Sequence, residues 1–156
     1  MMNHEQSVTV HQATLAEIDA IVPLFDAYRQ FYGQPGNPEG CRAFLLERFR
    51  YNQSILFLAK DGEGTAVGFA HLFPSFSSGS LAQIFILNDL FVFPSARRQG
   101  IASRLLRAAA DYGRVTGAIR LTLSTAVTNK HAQALYDHEG WNRDTEFCVY
   151  HLLLKA

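Results

Sequence analysis

The stretch Leu81 to Phe93, LAQIFILNDLFVF, constrains the fold more than any other part of the chain. It is apolar enough at both parities to form a strand buried on both faces, so other elements must cover each side. Pro94 ends it. Arg98 to Tyr112 then places Ile101, Leu105, Leu106 and Ala109 at the spacing of an amphipathic helix. A buried strand therefore runs through a short turn into a helix.

The flanking sequence supplies the remaining elements. Val8 to Ala13 alternates as a first strand, and Thr14 with Glu17 forms a capping-box pattern. The helix it opens carries Leu15, Ile18, Val22, Phe25 and Tyr32 as its apolar line. Pro23 inside that pattern predicts a kink or a break. Gly33, Pro35 and Gly36 end the helix, and Asn37-Pro38 starts a second with Phe44, Leu45 and Phe49 on one side. Ile55 to Lys60, the turn Asp61 to Gly64, and Ala66 to Phe73 read as a hairpin, with Pro74 to Ser80 as a Ser-rich loop. Leu121 to Ser124 reads as a strand, Asn129 to Glu139 as a helix stopped by Gly140, and Glu146 to Leu153 as a closing strand. Strands and helices are mixed without strict alternation, which favours α+β with a mostly antiparallel sheet. No repeat or linker divides the 156 residues, so one domain over 1–156 is expected.

Composition narrows the function. Fourteen Lys and Arg balance fourteen Asp and Glu, and no basic run stands out. A nucleic-acid partner is not expected from that balance. No apolar run approaches the roughly 18–20 residues of a membrane span, and the first twelve residues lack a secretory pattern. The expectation is a cytoplasmic protein with no membrane partner. The histidines (His4, His11, His71, His131, His138, His151) show no metal-ligand spacing, so no metal is expected. SFSS lacks the GxSxG elbow of a serine hydrolase, and neither a P-loop nor GxGxxG is present.

The chemistry concentrates at the strand–helix junction, LFVFPSARRQGIASRLL from Leu90 to Leu106. Arg97, Arg98 and Arg104 crowd a helix start, where the backbone dipole disfavours each cation by about 0.3–1 kcal/mol. Gly100 in the first turn costs up to about 1 kcal/mol against Ala. An anion would resolve both: free amides at the helix start hold a phosphate, arginines neutralise it, and Gly100 and Ala102 let the backbone approach. The alternative is a solvated basic helix end whose glycine serves packing. A second constellation is TNKHAQALYDHEGW, Thr128 to Trp141, with Asn129 at a helix start and Tyr136 two turns along. A phenol stays protonated near neutral pH and can give its proton to a thiolate, although a Tyr beside a Trp also suits plain packing.

Together these segments resemble the GNAT N-acetyltransferase family. Arg97, Gly100 and Ala102 fill its Arg/Gln-x-x-Gly-x-Gly/Ala signature, and Asn129 through Tyr136 with Gly140-Trp141 is similar to its later motif. The order of elements fits from Val8 to Leu153. The resemblance implies a GNAT fold: a mixed, mostly antiparallel twisted sheet, splayed at its centre and flanked by about four helices. It implies acetyl-CoA as co-substrate, with the backbone of Leu90, Phe91 and Val92 pairing the pantetheine arm as an added strand. Arg97, Arg98, Gln99, Gly100, Ile101, Ala102 and Ser103 would hold the pyrophosphate. Asn129 would contact the cofactor, and Tyr136 would sit by the sulfur as general acid. A homodimer is expected by the same analogy.

Two points stay open. Spermidine/spermine acetyltransferases, which the chain resembles, carry a Glu before the Asp on this strand. Here the pair is Asn88-Asp89, and an amide is no base, so Asp89 is the remaining candidate, directly or through water. An acceptor already neutral would need no base, proximity to the thioester doing most of the work. YRQFYGQ at Tyr28 to Gln34, PSFSS at Pro74 to Ser78 and ILNDLFV at Ile86 to Val92 resemble the histone and polyamine acetyltransferase branch. Tyr28, Phe31 and Tyr32 could line an acceptor slot facing an ammonium, with Asn88 beside it, or simply pack the first helix. The enzyme expected moves an acetyl group to a primary amine of a small molecule or peptide by direct attack. The rival is a catalytically silent acyl-CoA-binding module, encouraged by Asn88 where Glu is expected.

Overall fold

The computed structural model describes residues Ser7 to Lys155. The chain divides into two compact units, one reaching Ser124 and the other starting at Thr125.

The first unit is built on five strands in sequence order: β1 (Thr9–Gln12), β2 (Ile55–Lys60), β3 (Ala66–Ser77), β4 (Ala82–Val92) and β5 (Leu121–Thr122). The first three pairings are antiparallel, and β4 with β5 is parallel. Three helices accompany the sheet: α1 (Ile18–Phe31), α2 (Pro38–Arg50) and α3 (Ile101–Thr116). The register sorts side chains by face. Leu58 lies opposite Phe69, and Phe69 opposite Phe91. This face closes on Ile21, Leu24, Phe25, Cys41 and Leu45 of α1 and α2. The other face carries Phe57 and Phe85, both against Tyr112 of α3, at 5.8 and 5.5 Å between ring centroids. Gly68 belongs to that second face. A Cβ there would stand 3.0 Å from the Phe91 carbonyl and 3.3 Å from Leu105 Cδ1, so glycine permits the close approach of β4 and α3. The long apolar strand is thus covered on both sides, as its sequence demands.

Several expectations are adjusted. The strand begins at Ala82, because Leu81 is in a turn at φ 52°. The stretch read as a Ser-rich loop continues β3 as far as Ser77, with Pro74 opposite Phe85. β2 ends opposite Leu72, so from Phe73 onward one side of β3 has no neighbour in the sheet, and a proline costs no ladder bond there. Pro23 does not break α1. It is exposed, where the carbonyl it leaves unbonded can turn to water. Within α1 the buried line is Ile18, Ile21, Leu24 and Phe25, while Leu15 sits half exposed in a preceding 3-10 turn and Tyr32 is exposed. The stripe of α3 is as read: Ile101, Leu105, Leu106 and Ala109 are all buried.

The second unit holds α4 (Lys130–His138). Asn129 caps it, its side-chain oxygen accepting from the Ala132 amide at 3.1 Å. Gly140 closes it in a left-handed conformation. The expected strand from Glu146 to Leu153 is not formed. A strand exists through its ladder, and among the described residues this unit contains no second strand to pair with it.

Candidate active site

β4 changes character at one residue. His71 of β3 faces Asp89, but Leu72 faces Leu87, so Asn88 is an extra residue, a bulge. A bulge bends its strand and increases the local twist. Before it, β4 is paired on both sides, and the parallel ladder to β5 joins Phe85 to Leu121 and Ile86 to Thr122. That ladder stops there, while Leu87 to Val92 continue beside β3 alone within this unit's sheet. The Phe93 amide donates to Val67 of β3 at 2.9 Å. By alternation Phe91 also addresses β3, and Leu90 and Val92 turn their backbone groups to the open side.

The chain then makes a 3-10 turn at Pro94–Ala96 and enters α3 through two left-handed residues, Arg98 at φ 65° and Gly100 at φ 72°. A non-glycine residue at such φ is strained by roughly 1–3 kcal/mol. Gly100 stands at the N-cap with no capping side chain. The first bond of the helix is from the Arg104 amide to the Gly100 carbonyl at 3.2 Å. Among the described residues, the amides from Arg98 to Ser103 meet no acceptor. A helix start with its donors unclaimed and its dipole uncompensated is a ready anion site.

The arginines divide unexpectedly. Arg104 donates to the Val8 carbonyl. Arg97 turns back, its Nε donating to the Val92 carbonyl at 3.0 Å. Its guanidinium lies 5.5 Å from the Phe31 ring centroid and 5.8 Å from that of Phe91. Both guanidinium groups are therefore engaged by the protein although exposed, and Arg98, exposed as well, stands beside the open amides. A Cβ on Gly100 would meet nothing within 4 Å, so glycine is there for its backbone conformation and not for packing.

The aromatic residues of α1 gather over the end of β4. Tyr28 packs against Phe69 and Phe91, and Tyr32 and Phe31 extend the cluster outward, more than half exposed. On the same face lies the one buried polar pair of the described core. His71 is fully buried and Asp89 nearly so, with Nδ1 to Oδ2 at 3.1 Å. The Asn88 side-chain amide donates to the other Asp89 oxygen at 2.9 Å. Sequence reading passed over His71, because one histidine on an apolar strand carries no spacing signal. Its only mark was a polar residue at a core parity. In the second unit, Asn129 spends its side-chain oxygen on the cap of α4, and the Tyr136 ring lies 6.1 Å from that of Trp141.

A profile of the acetyltransferase (GNAT) family matches residues 21–141. The chain belongs to that family. It is similar to the uncharacterized N-acetyltransferase YhfO of Bacillus subtilis strain 168, 43% identical over 96% of this chain and 99% of that protein. A probable acetyltransferase of Haemophilus influenzae is 36% identical over 89% of this chain and 93% of its own length. Among solved structures, a probable acetyltransferase superposes with TM-score 0.90 at 44% identity, covering 95% and 99% of the two chains. An aminoglycoside N-acetyltransferase, AAC(6')-Iy, crystallised in complex with CoA, shares the fold at TM-score 0.81 and 20% identity, covering 97% and 99%. The expected GNAT fold class therefore holds: a mixed, open five-stranded sheet with four helices. The chain is an N-acetyltransferase by family. Among the described residues no helix is long and apolar enough to cross a membrane, and no group of three His, Cys, Asp or Glu side chains could hold a metal ion.

Proposed function

We propose that this N-acetyltransferase uses acetyl-CoA to acetylate a primary amine, by direct attack of the amine on the thioester. The observation that carries this is the row of unclaimed amides from Arg98 to Ser103 at the start of α3. They suit a pyrophosphate, with Arg98 adding charge. The open backbone groups of Leu90 and the Val92 amide suit an extended pantetheine arm. The Val92 carbonyl is engaged by Arg97, so Arg97 serves this site as a strap on the strand end rather than as a phosphate ligand. Phe91 contributes its ring, not its backbone, to the open side.

An alkylamine with a pKa of about 10.4 is neutral in only about one molecule in 2,500 at pH 7, a penalty near 4.6 kcal/mol. Asp89 is the proposed acceptor of that proton, through water because its burial disfavours direct contact. Tyr136 is the proposed acid for the departing thiolate, and Asn129 a cofactor contact through its amide nitrogen. Exposed Phe31 and Tyr32, with Asn88 at the bulge and Tyr28 behind them, are the proposed acceptor wall. A polyamine-like small molecule or a lysine or amino-terminal amine fits that chemistry. The family match crosses the boundary between the two units, which supports reading 1–156 as one acetyltransferase domain. A cytoplasmic homodimer without nucleic-acid or membrane partners completes the proposal.

Calorimetry with coenzyme A on ligand-stripped protein tests the anion site; no heat would remove it. Thiol release from acetyl-CoA across polyamines, amino acids, aminoglycosides and histone-tail peptides tests the reaction. Tight acetyl-CoA binding with no turnover on any amine would favour a silent acyl-CoA-binding module. Tyr136→Phe should cut turnover about 10²- to 10⁴-fold while cofactor affinity holds. A rate within about threefold of the native protein would strip Tyr136 of its role.

A further inference from the structure

The geometry points to His71 as the positioning residue of the proton-accepting carboxylate: its Nδ1–H holds Asp89 aimed toward the bulge. This inference rests on the acetyl-transfer reading above. Three observations carry it. Asp89 Oδ2 faces His71 Nδ1 at 3.1 Å and Oδ1 accepts from Asn88 at 2.9 Å, so a donor stands on each carboxylate oxygen. A buried carboxylate keeps its charge only when its oxygens are so satisfied. Next, the bulge at Asn88 falls between Leu87 and Asp89, where β4 leaves its double pairing. The pair therefore sits where the strand opens, with exposed Asn88 as its lid toward solvent.

The third observation is an orphan. His71 Nε2 is buried and, among the described residues, has no hydrogen-bond partner. The ring is packed by Phe25 and Phe73, at 6.2 and 4.7 Å between centroids. In such surroundings a phenylalanine would fill the space without stranding a nitrogen, and a stranded buried polar atom is destabilising. Packing thus gives no reason for histidine. Asp89 does. With hydrogen on Nδ1, the unpartnered Nε2 is a bare acceptor, which is less costly here than a stranded N–H donor beside a second unmet need at Asp89.

Two measurements test this. The first needs no acceptor: ¹⁵N shifts of the His71 ring in the ligand-free protein should show hydrogen on Nδ1 and a bare Nε2. Hydrogen on Nε2, alone or on both nitrogens, overturns the inference. The second is steady-state acetyl transfer to whichever panel amine the native protein turns over. His71→Phe should lower kcat on the order of 10²-fold with KM for acetyl-CoA within about twofold. His71→Asn, whose amide nitrogen can stand where Nδ1 does, should recover kcat to within about fivefold of native. Asp89→Asn should match His71→Phe, and the double variant should be no slower than either.

A kcat within threefold of native in His71→Phe, no recovery in His71→Asn, or additive losses would each overturn the positioning role while leaving the acetyl-transfer reading intact. Turnover of no amine by the native protein would overturn both. Should His71→Phe fail to fold, the asparagine variant and the ring shifts still decide.

Discussion

The two halves of β4 differ in little but their surroundings. Ala82 to Leu87 runs beside β3 throughout and pairs with β5 at Phe85 and Ile86, and its work is to carry Ile84, Phe85 and Leu87 in the core. Asn88 to Val92 keeps β3 on one edge only and adjoins the open amides of α3. Apart from Asn88 and Asp89 the second half is apolar like the first, and helices pack against the strand. The difference lies in unpaired backbone, which a fold that needed only stability would have closed. One extra residue at the join, Asn88, separates the structural half of the strand from the half proposed to serve the cofactor.

The largest effect should come from filling the open end. Gly100→Glu puts a carboxylate among the amides proposed to hold a phosphate, and coenzyme A affinity should fall about 1,000-fold or more, which is over 4 kcal/mol. Gly100→Ala is the control, since at φ 72° it adds only about 1 kcal/mol of backbone strain and its Cβ meets nothing. Its affinity should stay within about tenfold of native. Equal calorimetric losses in the two variants would show that backbone strain, not the anion site, accounts for the first.

Removing the join is the next test. The register on both sides of Asn88 is already consistent: Leu72 faces Leu87 and His71 faces Asp89. Deleting Asn88 should therefore leave every other side chain on its own face while straightening β4, with a melting temperature somewhat below native because Asp89 Oδ1 loses its donor. Coenzyme A affinity should fall on the order of 100-fold, because the strand end would lie back against β5. Native affinity in the deletion variant would mean that the bulge does not set the opening.

The arginines offer a smaller contrast. Arg98→Gln should weaken coenzyme A binding about tenfold, and the loss should shrink as salt is raised. Arg97→Gln should change it less than about threefold, since the guanidinium is spent on Val92 and two rings. The reverse order in a titration would return Arg97 to the phosphate.

How much of this could be read in advance follows the same division. The structural half of β4, the hairpin of β2 and β3, and the stripe of α3 rest on period and burial, and periodicity reports those directly. The junction was legible because arginines and a glycine break helix rules at Gly100, and Asn88 stood out as an amide where the resemblance called for a carboxylate. Three things were not legible. The bulge depends on register between two strands, which a single strand does not encode. The turning back of Arg97 depends on Phe31, which stands before α2, β2, β3 and β4 in the chain. His71 looked like a lone core histidine because its partner lies 18 residues later. The continuation of β3 through Pro74 failed for a local reason: proline argues against strand, but not where one edge is free.

The last test asks whether loss of activity in acid belongs to the site or to the scaffold, and it turns on Glu17. This carboxylate is mostly buried, which alone would raise its pKa. The Lys60 ammonium at 2.9 Å, His11 at 2.8 Å and the Thr14 amide outweigh that and hold it at about 2. It pins the turn before α1 to β1 and β2, with β3 lying between β2 and β4. Because its folded value lies below the ordinary 4.5, its contribution is fully present above pH 4.5 and is lost as pH falls through about 2. Glu17→Gln should therefore cost about 1 kcal/mol at pH 7, read as a lower urea midpoint, with no change in coenzyme A affinity. Toward pH 2 the variant and the native protein should converge in stability. If Glu17→Gln instead weakened cofactor binding at pH 7, the separation between a scaffold that is fully paired and a strand end left open would not hold.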